Sequence, residues 1–148
     1  MTNIKKYKFF DFLIIFIIPI VNIVNAEIDF FNEAKQKFEA KELKESKFLF
    51  ERNIVFNPKD AKSYLYLAKI YHEENNEQEK EKNLNTALLL EPTNEDAMFM
   101  LIDIKLDKSN FSEVKDLKEN FKKICIKLCN KVKFIEDSLK DIEPKNES

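Results

Sequence analysis

The sequence predicts an all-α chain: an α-solenoid of about three helix-turn-helix units finished by a long C-terminal capping helix. Three observations carry that expectation. Pro58 and Pro92 stand 34 residues apart, and the stretch between them reads as one two-helix unit whose neighbours follow the same phase. Apolar residues recur at helical spacing almost throughout the chain beyond residue 26. Glycine is absent altogether, which removes phosphate-binding loops, dinucleotide fingerprints and nucleophile elbows, because each needs backbone at positive φ or in close approach to a ligand. With 148 residues and 44% apolar content the chain has enough material for one core.

Residues 1–26 have the layout of a secretory signal. Lys5, Lys6 and Lys8 form a basic start, an apolar run extends from Phe12 to Val21, and Val24-Asn25-Ala26 suits cleavage after Ala26. The alternative is an uncleaved inner-membrane anchor, against which Asp11, Pro19, Asn22 and Asn25 shorten the apolar stretch below the roughly 20 residues of a span. No cysteine follows the run to carry a lipid. Removal of Lys5, Lys6, Lys8 and Asp11 leaves 22 basic and 26 acidic residues, a net charge of −4. An acidic chain with Arg52 as its one arginine lacks the concentrated basic patch that nucleic acid requires.

The first unit, residues 27–60, places Phe30, Ala34, Phe38, Leu43 and Phe50 at positions that recur one period later, and ends near Pro58. In the second unit, residues 61–94, Tyr64, Leu67, Ala68 and Tyr71 fall at i, i+3, i+4 and i+7, one stripe of a helix. Leu84, Ala87 and Leu88 line the inner side of its second helix, which Pro92 closes. Glu74-Asn75-Asn76 makes the turn between them, asparagine tolerating left-handed backbone better than most residues. The third unit, residues 95–128, carries Met98, Leu101, Ile102, Phe111, Val114 and Phe121 without a closing proline.

Residues 129–148 form the extension. Phe121, Cys125, Leu128, Val132, Ile135, Leu139 and Ile142 alternate steps of four and three with no proline or glycine before Pro144, the pattern of a heptad seam. One continuous helix from near Ser112 to about Ile142 is therefore expected, lying back over the last unit as a cap; the alternative pairs its overhang with a second copy as a homodimer. Cys125 and Cys129 are four apart, and on a regular helix that spacing holds Cβ atoms about 5–6 Å apart, beyond the reach of a disulfide. Three readings stay open: a bridge that marks a helix break near Asn130, an intermolecular bridge across the seam, or two reduced cysteines with Cys125 in the core. An oxidising compartment favours the internal bridge. One histidine and two cysteines do not make a His/Cys zinc set, no haem-attachment motif is present, and no metal or cofactor is expected.

Tyr64, Leu67, Ala68, Tyr71, Ala87 and Pro92 give the middle unit its resemblance to the tetratricopeptide repeat, a 34-residue helix-turn-helix module. Lys80 stands where that family has an early alanine in the second helix, and Leu84 where an aromatic is usual. The resemblance implies a non-enzymatic interaction scaffold whose first helices line a concave groove for an extended peptide or partner helix. The groove residues it implies are Phe31, Asn32, Lys35 and Phe38, then Leu65, Tyr66, Lys69 and His72, then Phe99, Met100, Asp103 and Leu106, basic at one end and acidic at the other. The family's carboxylate clamp is missing, since Phe31, Tyr66, Asp96 and Met100 occupy places that need basic or amide side chains. His72 has no nucleophile or acid arranged with it and reads as groove wall.

A protein or peptide partner follows, with membrane contact only through residues 1–26. The lysine- and asparagine-rich, glycine-free composition points to an AT-rich genome and so to a bacterial periplasm. In a secreted eukaryotic protein Asn110-Phe111-Ser112 and Asn146-Glu147-Ser148 would be glycosylation acceptors. A second function class is a thiol-dependent assembly factor acting through Cys125 and Cys129. A third is a membrane-anchored assembly subunit that retains residues 1–26.

Overall fold

The computed structural model describes residues 29–140. The leader or anchor, the seam residue Ile142 and the acceptor Asn146 lie outside the described residues. Within them the chain is a series of seven helices: α1 (Phe30–Glu39), α2 (Leu43–Phe56), α3 (Ala61–Glu73), α4 (Glu77–Leu90), α5 (Glu95–Asp107), α6 (Phe111–Ile124) and α7 (Lys131–Lys140). Among the described residues no helix is long and apolar enough to cross a membrane.

The period read from two prolines governs backbone detail. Helices α2, α4 and α6 each have 14 residues and begin at 43, 77 and 111, one 34-residue step apart. Two places beyond the ends of α1, α3 and α5 stands a residue of positive φ, Lys41 (63°), Asn75 (55°) and Ser109 (54°), at the same interval. Around each the chain closes a pair of reversed hydrogen bonds, such as Asn76 N–H to the Tyr71 carbonyl at 2.8 Å and Asn75 N–H to His72 at 3.0 Å. This is the left-handed helix stop that normally uses glycine, made here three times without one. Starts are fixed by short acceptors: Asp29, Asp60, Asn76 and Asn94 side chains each take a first-turn N–H.

The core is laid down in three successive clusters, each shared by three consecutive helices. Ala34, Phe50, Leu67 and Ile70 join α1, α2 and α3. Leu65, Ala68, Leu84, Ala87, Ala97 and Leu101 join α3, α4 and α5. Met98, Ile102, Val114, Phe121, Ile135 and Leu139 join α5, α6 and α7. Ala34 and Ala68 are fully buried, occupying places where a larger side chain would hold neighbouring helices apart. No pair buries its apolar side alone, and stacking makes the core continuous. The junction of the first two units is polar inside: Asn53 donates to Asp60 and to Ser63 Oγ, both at 2.8 Å. One period later the same two places hold Ala87 and Ala97, both fully buried.

The continuous helix expected from Ser112 to Ile142 does not form. Helix α6 stops at Ile124, Cys125 turns to extended backbone with ψ 135°, and α7 starts at Lys131. Phe121, Ile135 and Leu139 are buried in the third cluster, so the four-and-three pattern arises from two core-facing helices in phase across a break. Among the described residues no continuous overhang is left to pair two copies. Helix α7 instead occupies the place of a first helix in a fourth unit: Val132, Ile135 and Leu139 stand 34 residues beyond Met98, Leu101 and Lys105. The positions that receive a second helix in earlier units, Leu65 and Ala68 in α3, become Lys133 and Glu136 in α7. Among the described residues α7 is the last helix, and Lys133 and Glu136 give it the charged outer side that suits the end of a stack.

Candidate partner-binding face

Side chains join the first helices α1, α3, α5 and α7 into one candidate face: aromatic rings link α1 to α3 and α5 to α7, and α3 and α5 share the second core cluster. Phe38 of α1 meets Tyr66 of α3 edge to face, with ring centroids 5.2 Å apart, and Phe31 meets the same ring at 5.9 Å. At the other end Phe99 of α5 lies 6.2 Å from Phe134 of α7. Phe50 of α2 stacks beneath Tyr66 at 4.9 Å, so that this half-buried tyrosine is held between the core and the surface.

The sequence-derived residues do not all share this environment. Phe31, Phe38, Tyr66, Phe99 and Met100 are half-buried on the face, whereas Leu65 is core with 6% exposure. Leu106, like Phe99, is half-buried and packs against the third cluster. Lys35 is near Glu39 at 3.6 Å, and Lys69 lies over the Tyr66 ring at 5.3 Å. Asn32 is exposed and its side-chain amide donates to Asp29, which binds it to the start of α1. His72 is also exposed; its Nδ1 is 3.1 Å from Lys80 Nζ and 3.9 Å from Glu77, toward α4. Lys80, in the place of the family's alanine, is 2% exposed. Its stem fills the α3–α4 contact while its ammonium reaches Glu77 at 3.3 Å. Asp103 is half-buried and has no hydrogen bond or ion pair among the described residues.

Away from the face, ion pairs tie neighbouring units. Lys47 of α2 donates to Glu74 at 2.8 Å and lies 4.2 Å from the Tyr71 ring. One period on the charges are exchanged: Glu81 takes Lys105 at 2.7 Å and also pairs with Lys108. Hydrogen bonds from Lys105 and then Lys108 hold the Glu81 carboxyl below the usual carboxylate range. Glu81 and Glu113, the latter at 2.9 Å, raise the Lys105 ammonium in turn.

Cys125 and Cys129 are bridged to each other, with Cα atoms 5.1 Å apart, inside the turn that separates α6 from α7. Glu95 of α5 accepts the N–H groups of Lys127 at 2.9 Å and Leu128 at 2.8 Å. Those bonds, Leu128 foremost, lower its carboxyl below the ordinary range. Sequence reasoning missed Phe134 and Asp137, which α7 adds to the face. The available signal was one more 34-residue step, from Met100 to Phe134 and from Asp103 to Asp137, and the heptad reading of the tail concealed it.

No protein-family model matches the chain, and no curated protein matches it in sequence. Solved structures do match. The type III secretion translocator chaperone SycD of Yersinia enterocolitica superposes with a TM-score of 0.67 at 11% identity, over 75% of this chain and 81% of that one. The first tetratricopeptide-repeat domain of Spaghetti (RPAP3), bound to the HSP90 peptide SRMEEVD, gives 0.63 at 14% identity, over 75% and 90%. With the 34-residue period, the paired helices and these two neighbours in agreement, the chain has the tetratricopeptide-repeat fold, an all-α solenoid.

Proposed function

We propose that this chain is a non-enzymatic interaction scaffold of the cell envelope that holds a peptide or helix of a partner protein against the α1–α3–α5–α7 face. The observation that carries the reading is the composition of that face. Half-buried Phe38, Tyr66, Phe99 and Met100 offer apolar area at small ordering cost, and Lys69 and Asp103 add charges that no described residue neutralises. The folds it resembles include a translocator chaperone and a domain bound to a peptide, which supports the same use here. The leader-like residues 1–26 and the Cys125–Cys129 bridge support export to an oxidising compartment.

Crosslinking capture from the producing cells tests the proposal. Wild type is expected to retain a partner that a Tyr66→Ala, Lys69→Glu variant loses; equal capture by both removes the face from the account. A thiol-dependent assembly role is the second reading, favoured by the exposed position of Cys129. Replacing both cysteines with serine separates the two, because a scaffold acting through Phe38 and Tyr66 on α1 and α3, away from the bridge, keeps its partner.

A further inference from the structure

The face carries a charge order that specifies its ligand more closely than "a peptide". Lys35, Lys69, Asp103 and Asp137 stand at successive 34-residue intervals, one on each of α1, α3, α5 and α7. They form a row across the face, two cations followed by two anions. The outer members have weak, exposed partners: Lys35 with Glu39 at 3.6 Å and Asp137 with Lys140 at 3.6 Å. The inner members have no ion-pair partner among the described residues. Lys69 meets only the Tyr66 ring at 5.3 Å and pairs with no carboxylate among the described residues, Glu73 one turn on included. Asp103, at the matching place on the next helix, is likewise without a partner among the described residues. Two opposite, half-buried charges on adjacent helices that do not neutralise each other would both be satisfied by a ligand lying across them. Half-buried charges gain more from such pairing than fully solvated ones.

Resting on the scaffold reading above, we infer that the partner segment is extended and zwitterionic, with acidic side chains over Lys35 and Lys69 and a basic side chain over Asp103. Packed helices lie about 8–10 Å apart, and an extended chain advances about 3.3 Å per residue. The acidic and basic residues are therefore about three positions apart in the ligand, with an apolar residue between them against Tyr66 and Met100. A uniformly acidic tail would satisfy Lys69 and be repelled by Asp103; a uniformly basic one would do the reverse.

Selection from a displayed library of random peptides about twelve residues long, enough to cross four helices, reads this out directly. Wild type is expected to enrich peptides with an acidic and a basic residue about three positions apart in one order. The variant Lys69→Asp, Asp103→Lys is expected to enrich the opposite order and to bind the wild-type peptides about tenfold more weakly. Both changes are at partly exposed positions, and circular dichroism checks that the variant is folded. Enriched peptides with no opposite-charge pair, or the same order selected by both proteins, overturn the charge order while leaving the face as the binding site. Loss of all enrichment in Leu89→Asp, a change on an 82% exposed position of α4, overturns the face itself. Failure of wild type to enrich any peptide overturns both.

Discussion

The turns that connect one helix pair to the next are made in two different ways in this molecule. Asn57-Pro58-Lys59-Asp60 and Glu91-Pro92-Thr93-Asn94 close within four residues: Asp60 N–H returns to the Asn57 carbonyl at 3.0 Å and Asn94 N–H to Glu91 at 3.1 Å, and the same Asp and Asn then cap the following helix. Proline at the second place cannot continue the helix, so the stop is local. Between α6 and α7 the corresponding place holds Cys125-Ile126, and the turn is secured by a covalent bridge and by Glu95, which reaches from α5 to two backbone N–H groups. The geometric demand is the same, since Asn57, Glu91 and Cys125 all follow 14-residue helices. A local turn survives changes elsewhere, whereas the C-terminal one depends on oxidation and on a distant carboxylate.

The largest expected effect tests whether the C-terminal cluster is as integral as the others. Phe121→Ala removes a fully buried ring shared by α5, α6 and α7 and should lower stability by about 3–5 kcal/mol, read as a shifted denaturant midpoint. A loss below about 1 kcal/mol would show α7 to be an appendage. Next, changing Cys125 and Cys129 together to serine opens a loop of five residues and should lower stability by about 2 kcal/mol. In hydrogen exchange the loss should fall on residues 125–140, with α1–α4 unchanged; a uniform loss would mean that the last turn supports the whole stack.

A smaller change goes the other way. Lys41→Gly and Ser109→Gly relieve side chains held at φ 63° and 54°, and each should raise stability by about 1 kcal/mol. Asn75→Gly should gain less, because asparagine already tolerates that conformation. Equal gains at all three sites in thermal melts would contradict the assignment. The smallest effect is confined to acid. Because Glu95 is held below its ordinary value of 4.5 in the fold, its contribution is complete above about pH 4.5 and is lost as pH falls toward the depressed value. Glu95→Gln should therefore be less stable than wild type near neutral pH and should converge with it as the medium is acidified through that range.

Much of this architecture was legible because it repeats. Two prolines gave the period, and the period placed Ala34, Ala68 and the helix pairs. Asn75 was readable as a left-handed stop from its own chemistry, but Lys41 and Ser109 were not, since neither residue type prefers that conformation and only the tertiary contacts of the turn hold it there. The C-terminal break was concealed by arithmetic: a helix in phase with its predecessors continues the four-and-three spacing even when six residues between them are not helical. Ion pairs such as Lys47–Glu74, 27 residues apart, leave no local pattern at all. On the face, the period located Lys35, Lys69 and Asp103 but could not show that the last two have no ion-pair partner among the described residues, which depends on side-chain placement.

On the proposed function, the first-helix face meets the partner and the opposite surface does not. A photoreactive amino acid placed at Met100 on the face, and in a second protein at Leu89 on the outer side, compares them in the producing cells. A discrete adduct is expected from position 100 and none from position 89; an adduct from position 89 alone would place the partner on the outer surface instead.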